Sequence, residues 1–215
     1  MYDREYNGQV LEFETSGGLL DASLVMRDRE TDSWWSIMTG DAIGGNMQGE
    51  KLKEMPIGEK TTWGAWKKRH PETRALSVNG REHDTRDGYD DYFASESTFR
   101  NIEIHDYRLQ PKQPIYSFRH EDVSYAVAYD RFAGGGIFDL EGGAGEHTQV
   151  VLFRDPDASI RASSTAFLVP KGSVPSVDRT TVEKLAARPD VERLAGFDTF
   201  WYNWVLVHPK TIVLK

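Results

Sequence analysis

Four of the six tryptophans in this chain fall in two short segments, "WGAWKKRHPETRAL" (63–76) and "WYNWVLVHPKTIVL" (201–214). Trp63, Trp66, His70, Pro71, Thr73 and Leu76 are matched by Trp201, Trp204, His208, Pro209, Thr211 and Leu214 at a constant offset of 138 (63 to 201, 76 to 214). Positions i, i+3 and i+7 share one face of a helix, so each segment predicts a short helix presenting two indoles and an imidazole together. Proline disfavours helical geometry in the residue before it, so the helices should stop at His70 and His208. The runs "TRALSV" and "TIVLK" then read as strands. Equal patterns at one offset most simply mean a duplicated unit.

The rest of the chain reads as strands and turns. "YDREY" and "QVLEF" flank Asn7-Gly8, a dipeptide suited to a type I′ hairpin turn. "SLVMRD", "PIYSFRH", "VSYAVAY", "GIFDL", "TQVVLF" and "STAFLV" are further strand candidates, with glycine-bearing turns at "TGDAIGG" and "MQGEKL". The polar stretch 79–97 reads as a long surface connection. "AGGGIFDLEGGAGEH" is glycine-rich, but no helical pattern follows it, as a phosphate-binding loop would need. One more helix is expected at "VEKLAAR", with Thr180 and Glu183 as a capping box and Pro189 as its stop. The expectation is a β-rich α+β fold, a single domain over 1–215. It is built from two degenerate repeats, about 1–110 and 111–215, of short antiparallel strands, each ending in a tryptophan-bearing helix followed by a strand.

Charge and composition exclude several function classes. With 26 basic and 34 acidic side chains the net charge is −8, which argues against nucleic acid or an anionic membrane as the main partner, because both need a basic face. There is no cysteine, which excludes disulfides, thiolate metal sites and cysteine nucleophiles. No apolar run approaches the roughly 20 residues of a membrane span, and "MYDREYNGQ" lacks a signal-peptide core, so the default expectation is cytoplasmic.

Three groups of side chains are candidates for chemistry. The Trp63, Trp66, His70 face and the Trp201, Trp204, His208 face could stack on a sugar or an aromatic ligand, with Trp34 as a further candidate indole. The competing reading has the indoles pinning each helix to a sheet and the histidine bonding at the helix end. In "DRETDSWW", Asp28, Arg29 and Glu30, with His70, form the only group that suggests acid–base catalysis. The competing reading there is a turn held by Asp28 with Arg29 ion-paired beside it. The acidic loop offers Asp84, Asp87, Asp90 and Asp91 as metal candidates, but the twelfth position from Asp84 is Ser95, so the EF-hand spacing fails. No His-x-x-x-His and no Gly-x-Ser-x-Gly occurs.

The segment from Ser16-Gly17 through Leu24–Thr31, Ser33–Trp35, Thr39–Ile43 and Thr61–Thr73 resembles the bacterial and archaeal family called domain of unknown function 3179. "DYRLQPKQPIYSF" and "FWYNWVLVHPKT" resemble its second half more loosely. Members of that family carry a Cys-x-x-Cys strand just ahead of the segment that begins here at Tyr2. The resemblance therefore implies that "YDREY" is an open sheet edge, available for self-association or for a second chain. It implies a fold and no activity, substrate or cofactor. The leading functional expectation is a non-enzymatic binding or scaffold module. The alternatives are an enzyme acting on a polar small molecule or glycan through the Asp/Arg/Glu/His group, and a metal-binding protein.

Overall fold

The computed structural model describes residues 1–56, 58, 60–76, 89–140, 147–156 and 159–215. The chain opens with a hairpin, β1 (Glu5–Tyr6) and β2 (Gln9–Val10), turned at Asn7 and Gly8 with φ of 50° and 80°, the type I′ geometry that the dipeptide favours. An antiparallel meander follows: β3 (Phe13–Leu20), β4 (Ser23–Asp28), β5 (Trp34–Ser36) and β6 (Ala42–Gly44). Leu11, Trp35, Ala42 and Leu52 form a small core under it. Two short helices come next, α1 (Trp63–Arg69) and α2 (Asp90–Ala94).

The second half is layered. Strands β7 (Pro114–His120) and β8 (Val123–Ala128) form a hairpin, and β9 (Gly136–Asp139), β10 (Thr148–Phe153) and β11 (Thr165–Pro170) a second ladder. The chain continues through α3 (Arg179–Ala186), β12 (Glu192–Arg193), β13 (Gly196–Phe200), α4 (Trp201–Val207) and β14 (Ile212–Val213). One sheet has the order β13-β7-β8-β14, the other β12-β11-β10-β9.

Alternation along the strands decides the layers, because successive side chains point to opposite faces. Tyr116, Phe118, Tyr125 and Val127 meet Val150, Leu152, Ala166 and Leu168 in a core between the two sheets. The intervening Ile115 and Ala126 face α4, whose Trp201, Trp204 and Val205 are buried against them. On the far side Val151, Phe167 and Val169 face Val182 and Leu185 of α3. The order is helix, sheet, sheet, helix. Among the described residues no helix is long and apolar enough to cross a membrane.

The β-rich fold with few helices agrees with the expectation; several details do not. The strand β14 runs parallel to β8, because α4 carries the chain back across the sheet before it starts. After α1, Thr73–Leu76 form no strand, and Ser77 and Val78 lie outside the described residues. The cap of α3 is Asp178, whose side chain accepts from the Thr181 N–H at 2.7 Å, so the helix begins before the Thr180 capping box. The edge expected to be open at the start of the chain is paired internally. Tyr2 bridges Glu54, Asp3 N–H donates to Lys53 at 2.9 Å, and Met55 N–H donates to Met1 at 2.7 Å.

The largest departure concerns the two tryptophan helices. Their ends are alike: His70 (φ −129°, ψ 72°) and His208 (φ −125°, ψ 67°) leave the helix in one geometry and stack on the preceding indole at 4.2 and 4.1 Å. Their surroundings are opposite. In α4, Trp201, Tyr202, Trp204 and Val205 are all buried; in α1 no residue is, and Trp63 is 52% exposed. The helix α1 ends in Lys67, Lys68 and Arg69, where α4 has Val205, Leu206 and Val207. Only the second has an apolar remainder to bury, so the shared indoles alone do not lock α1 into a core.

Candidate functional site

Two adjoining depressions meet at Lys60 and Arg161. One is a cavity of about 310 Å³ lined by Tyr92, Phe93, Pro114, Tyr129, Ile160 and Phe200, with Asp198, Thr199 and Asn203 as its polar wall. The other is an open groove of about 800 Å³ lined by Trp63 and Trp66 of α1, by Thr61 and Thr62, and by Ser159 and Ala162. Lys60 and Arg161 line both.

Backbone pairing fixes this junction. Lys60 N–H donates to the Ser163 hydroxyl at 2.6 Å, and Ser163 N–H donates back to the Lys60 carbonyl at 2.8 Å. The Thr62 hydroxyl accepts from Ala65 N–H and so starts α1, which turns Trp63 and Trp66 into the groove. Buried Arg154 donates to the carbonyls of Ser159 and Ala162, clamping the 159–162 segment, and lies 4.2 Å over the Tyr129 ring.

Asp198, on β13, anchors the cavity floor. One carboxylate oxygen accepts from the Tyr129 hydroxyl at 2.7 Å and from the Ser164 hydroxyl; the other accepts from Ser164 N–H at 2.9 Å. Burial, with the Asp198 charge beside it, pushes the Tyr129 phenol far above its ordinary value and keeps it neutral. Arg161 is bonded to Asp90 at 2.9 Å and lies 4.3 Å over the Phe93 ring. The Lys60 ammonium donates to the Asp198 carbonyl at 3.2 Å and has no carboxylate partner among the described residues. Asn203 donates its amide N–H to Thr199 at 3.3 Å, while its Oδ1 is buried without a donor among the described residues.

The side chains singled out in the sequence lie elsewhere, except for Trp63, Trp66 and Asp90. Asp28 is buried under the β4–β5 turn. It accepts from Thr31 N–H and hydroxyl, from Ser33 N–H and, at 2.7 Å, from the Trp35 indole. Burial raises its pKa, but the bonds from Trp35, Thr31 and Ser33 outweigh that and hold it below the usual carboxylate range. Arg29 pairs on the surface with Glu14 and Glu12, and Glu30 accepts from Glu12 N–H. None of these bonds reaches His70, which is exposed on Trp66. Trp34 is 52% exposed beside Gly44. Trp201 and Trp204 are core residues, and His208 is held down to about 4 by burial first and by Arg119 and Lys51 second. Asp84 and Asp87 lie outside the described residues; Asp90 and Asp91 sit in α2, Asp90 engaged by Arg161. Among the described residues no three His, Asp or Glu side chains gather as a metal site would need.

Lys60, Tyr129, Arg161, Asp198 and Asn203 carry no local signature in the sequence. They come from four separate stretches of chain, Asp198 and Asn203 sharing the β13–α4 run, and are joined only by the fold. The family described as Protein of unknown function (DUF3179) matches the chain over residues 1–211. No curated protein and no solved structure matches it.

Proposed function

The chain belongs to the DUF3179 family, and we propose that it is a non-enzymatic binding module whose ligand is a small organic acid held where the cavity and the groove meet. Lys60 carries this reading. The residue lines both depressions, uses one donor on a carbonyl, and forms no ion pair with a carboxylate among the described residues, while both oxygens of Asp198 in the same wall are occupied by Tyr129 and Ser164. A cation with unused donors beside low-dielectric aromatic walls attracts an anion more strongly than one in open water. The cavity volume lies in the range of small-molecule pockets, about 300–1,000 Å³.

The polar groups of the floor support binding over turnover. Tyr129 and Ser164 both spend their hydroxyls on Asp198, and both Asp198 oxygens are occupied. These groups hold the wall in place and leave no free base beside a nucleophile. The same reading treats α1 and α4 as copies of one unit, one kept in the core and one turned outward to line the groove. Their common helix-end geometry and constant offset support this.

The test is thermal stability across a panel of organic acids, with Lys60→Gln beside the parent. A rise in Tm with one or more acids, lost in Lys60→Gln, is the expected result. No acid-dependent rise, or a rise unchanged by Lys60→Gln, contradicts it. Time-dependent conversion of any panel member would move the protein to the enzyme reading.

A further inference from the structure

We infer that Asp90 is a built-in competitor of the ligand: its carboxylate sits on Arg161, the second cation at the junction of cavity and groove, and an incoming acid anion displaces it. This rests on the binding reading above and adds a self-blocking contact to the same site.

Lys60 and Arg161 are the two cations that line both depressions. The fold brings them together. Lys60 pairs through its backbone with Ser163, two residues after Arg161, and Arg154 holds the carbonyls of Ser159 and Ala162 on either side of Arg161. The two cations differ in what they hold. Lys60 forms no ion pair among the described residues, whereas Arg161 holds a carboxylate that the chain itself supplies, Asp90 of α2. The chain therefore keeps a carboxylate of its own at one of the two cations that an acid ligand would use.

That contact is built to exchange. Asp90 reaches Arg161 through one oxygen on one guanidinium nitrogen at 2.9 Å, with 76% of the Asp90 side chain exposed and 32% of the Arg161 side chain. An ion pair this open to water adds little to stability, and rotation of the aspartate side chain is enough to break it. A ligand carboxylate that takes the guanidinium through two parallel bonds makes the stronger and more directional contact. Arg161 keeps its place during the exchange, because it lies 4.3 Å over the Phe93 ring. The helix keeps its place too. Lys112 donates to the carbonyls of Tyr92 and Ser95, and the Tyr92 and Tyr202 hydroxyls share a hydrogen bond at 2.6 Å. Displacing Asp90 therefore leaves the walls of the cavity standing. A site that is open for only part of the time binds more weakly by that fraction, so Asp90 tunes affinity without forming the site.

Isothermal titration calorimetry with benzoate tests this on the parent, Asp90→Asn, Asp91→Asn, Arg161→Gln and the Asp90→Asn/Arg161→Gln double variant, with Lys60→Gln as the reference for the binding reading. Asp90→Asn should bind more tightly than the parent by more than about twofold and up to about sixfold, the population that an exposed ion pair of ordinary strength holds closed. Asp91→Asn removes the same charge from the same turn of α2 and should stay within about twofold of the parent, because an exposed charge without the Arg161 contact is screened. In the Arg161→Gln background Asp90→Asn should change affinity by less than about twofold, because the competitor and its cation act as a pair. If Asp90→Asn does not fold, Asp90→Ser gives the same comparison. Unchanged or weaker binding in Asp90→Asn overturns the inference. So does an equal gain in Asp91→Asn, or a gain that survives loss of Arg161. In each of those cases Lys60-dependent binding by the parent leaves the binding reading standing. Absence of Lys60-dependent binding in both the parent and Asp90→Asn removes both.

Discussion

Alanine at Trp204 is expected to cost far more stability than alanine at Trp66, although the two residues occupy equivalent places in one motif. The Trp204 indole is 1% exposed, packs at 6.2 Å on Phe197 and at 4.1 Å on His208, and shares a core with Trp201, Phe200 and Val205. Its N–H has no partner among the described residues, so truncation removes buried area and leaves a cavity without breaking a hydrogen bond recorded there. An aromatic side chain of this size buries about 150–250 Å², worth about 4–6 kcal/mol at about 25 cal/mol/Å². Residual burial in the unfolded chain lowers this, in line with the usual loss of about 3–5 kcal/mol. Trp66 is only partly buried. Its loss removes the 2.9 Å bond to the Thr73 hydroxyl and the stacking on exposed His70, for about 0.5–1.5 kcal/mol. Urea unfolding of both variants reads the difference. With a slope of about 2 kcal/mol/M the Trp204→Ala midpoint should fall by about 1.5–2.5 M and that of Trp66→Ala by less than about 1 M. Equal midpoint shifts at unchanged slopes would refute the assignment of α1 to the surface and α4 to the core.

Asp28→Ala should cost about 3–5 kcal/mol, because the Trp35 indole and the Thr31 and Ser33 N–H groups lose their acceptor, at about 1–2 kcal/mol each with part-buried Thr31 at the low end; urea unfolding checks it. Gly45→Ala should destabilise more than Gly17→Ala. Both have positive φ (+88° and +76°), but a Cβ at 45 would lie 2.4 Å from the Asp32 carbonyl, while the space at 17 is open. About 1–2 kcal/mol is expected at 17 and more at 45, read as the difference in unfolding midpoint. His208 makes stability depend on acid. Its folded value is about 4 against 6.5 unfolded, so the unfolded chain takes up the proton first as pH falls. Its contribution is constant above about pH 6.5, declines between 6.5 and 4, and levels off below. Allowing for partial exposure the loss is about 1–2 kcal/mol, measured as the difference between the pH profiles of the parent and His208→Gln.

What the sequence made legible is local. Asn7-Gly8 dictates its turn through two positive φ angles that few other residue pairs tolerate. His70-Pro71 and His208-Pro209 stop their helices through a backbone clash that needs no tertiary partner. Asp28 reads as a turn residue because its carboxylate is matched to N–H groups three and five residues on. Which tryptophan helix is buried depends on the residues between the indoles. Lys67, Lys68 and Arg69 against Val205, Leu206 and Val207 is a signal that was present, but the shared pattern outweighed it. The groove was not legible, since Lys60, Tyr129, Arg161, Asp198 and Asn203 meet only after sheet, helix and loop are assembled. Parallel pairing of β14 was hidden for the same reason: a strand's direction follows from how far the preceding helix carries the chain.

The most direct measurement of the binding account is an NMR titration of the six indole N–H signals with benzoate, a small organic acid whose ring suits the aromatic lining of the cavity. Trp63 and Trp66 line the groove next to Lys60, whereas Trp35 and Trp201 are enclosed in separate cores. Saturable shifts are expected at Trp63 and Trp66 and at the backbone amides of Thr199, Phe200 and Asn203, and not at Trp35. In Lys60→Gln the same shifts should require at least about tenfold more ligand, the equivalent of one lost charge-assisted contact. Shifts centred on Trp34 and Trp35, or no saturable shift at Trp63, Trp66 and Asn203, would contradict the account.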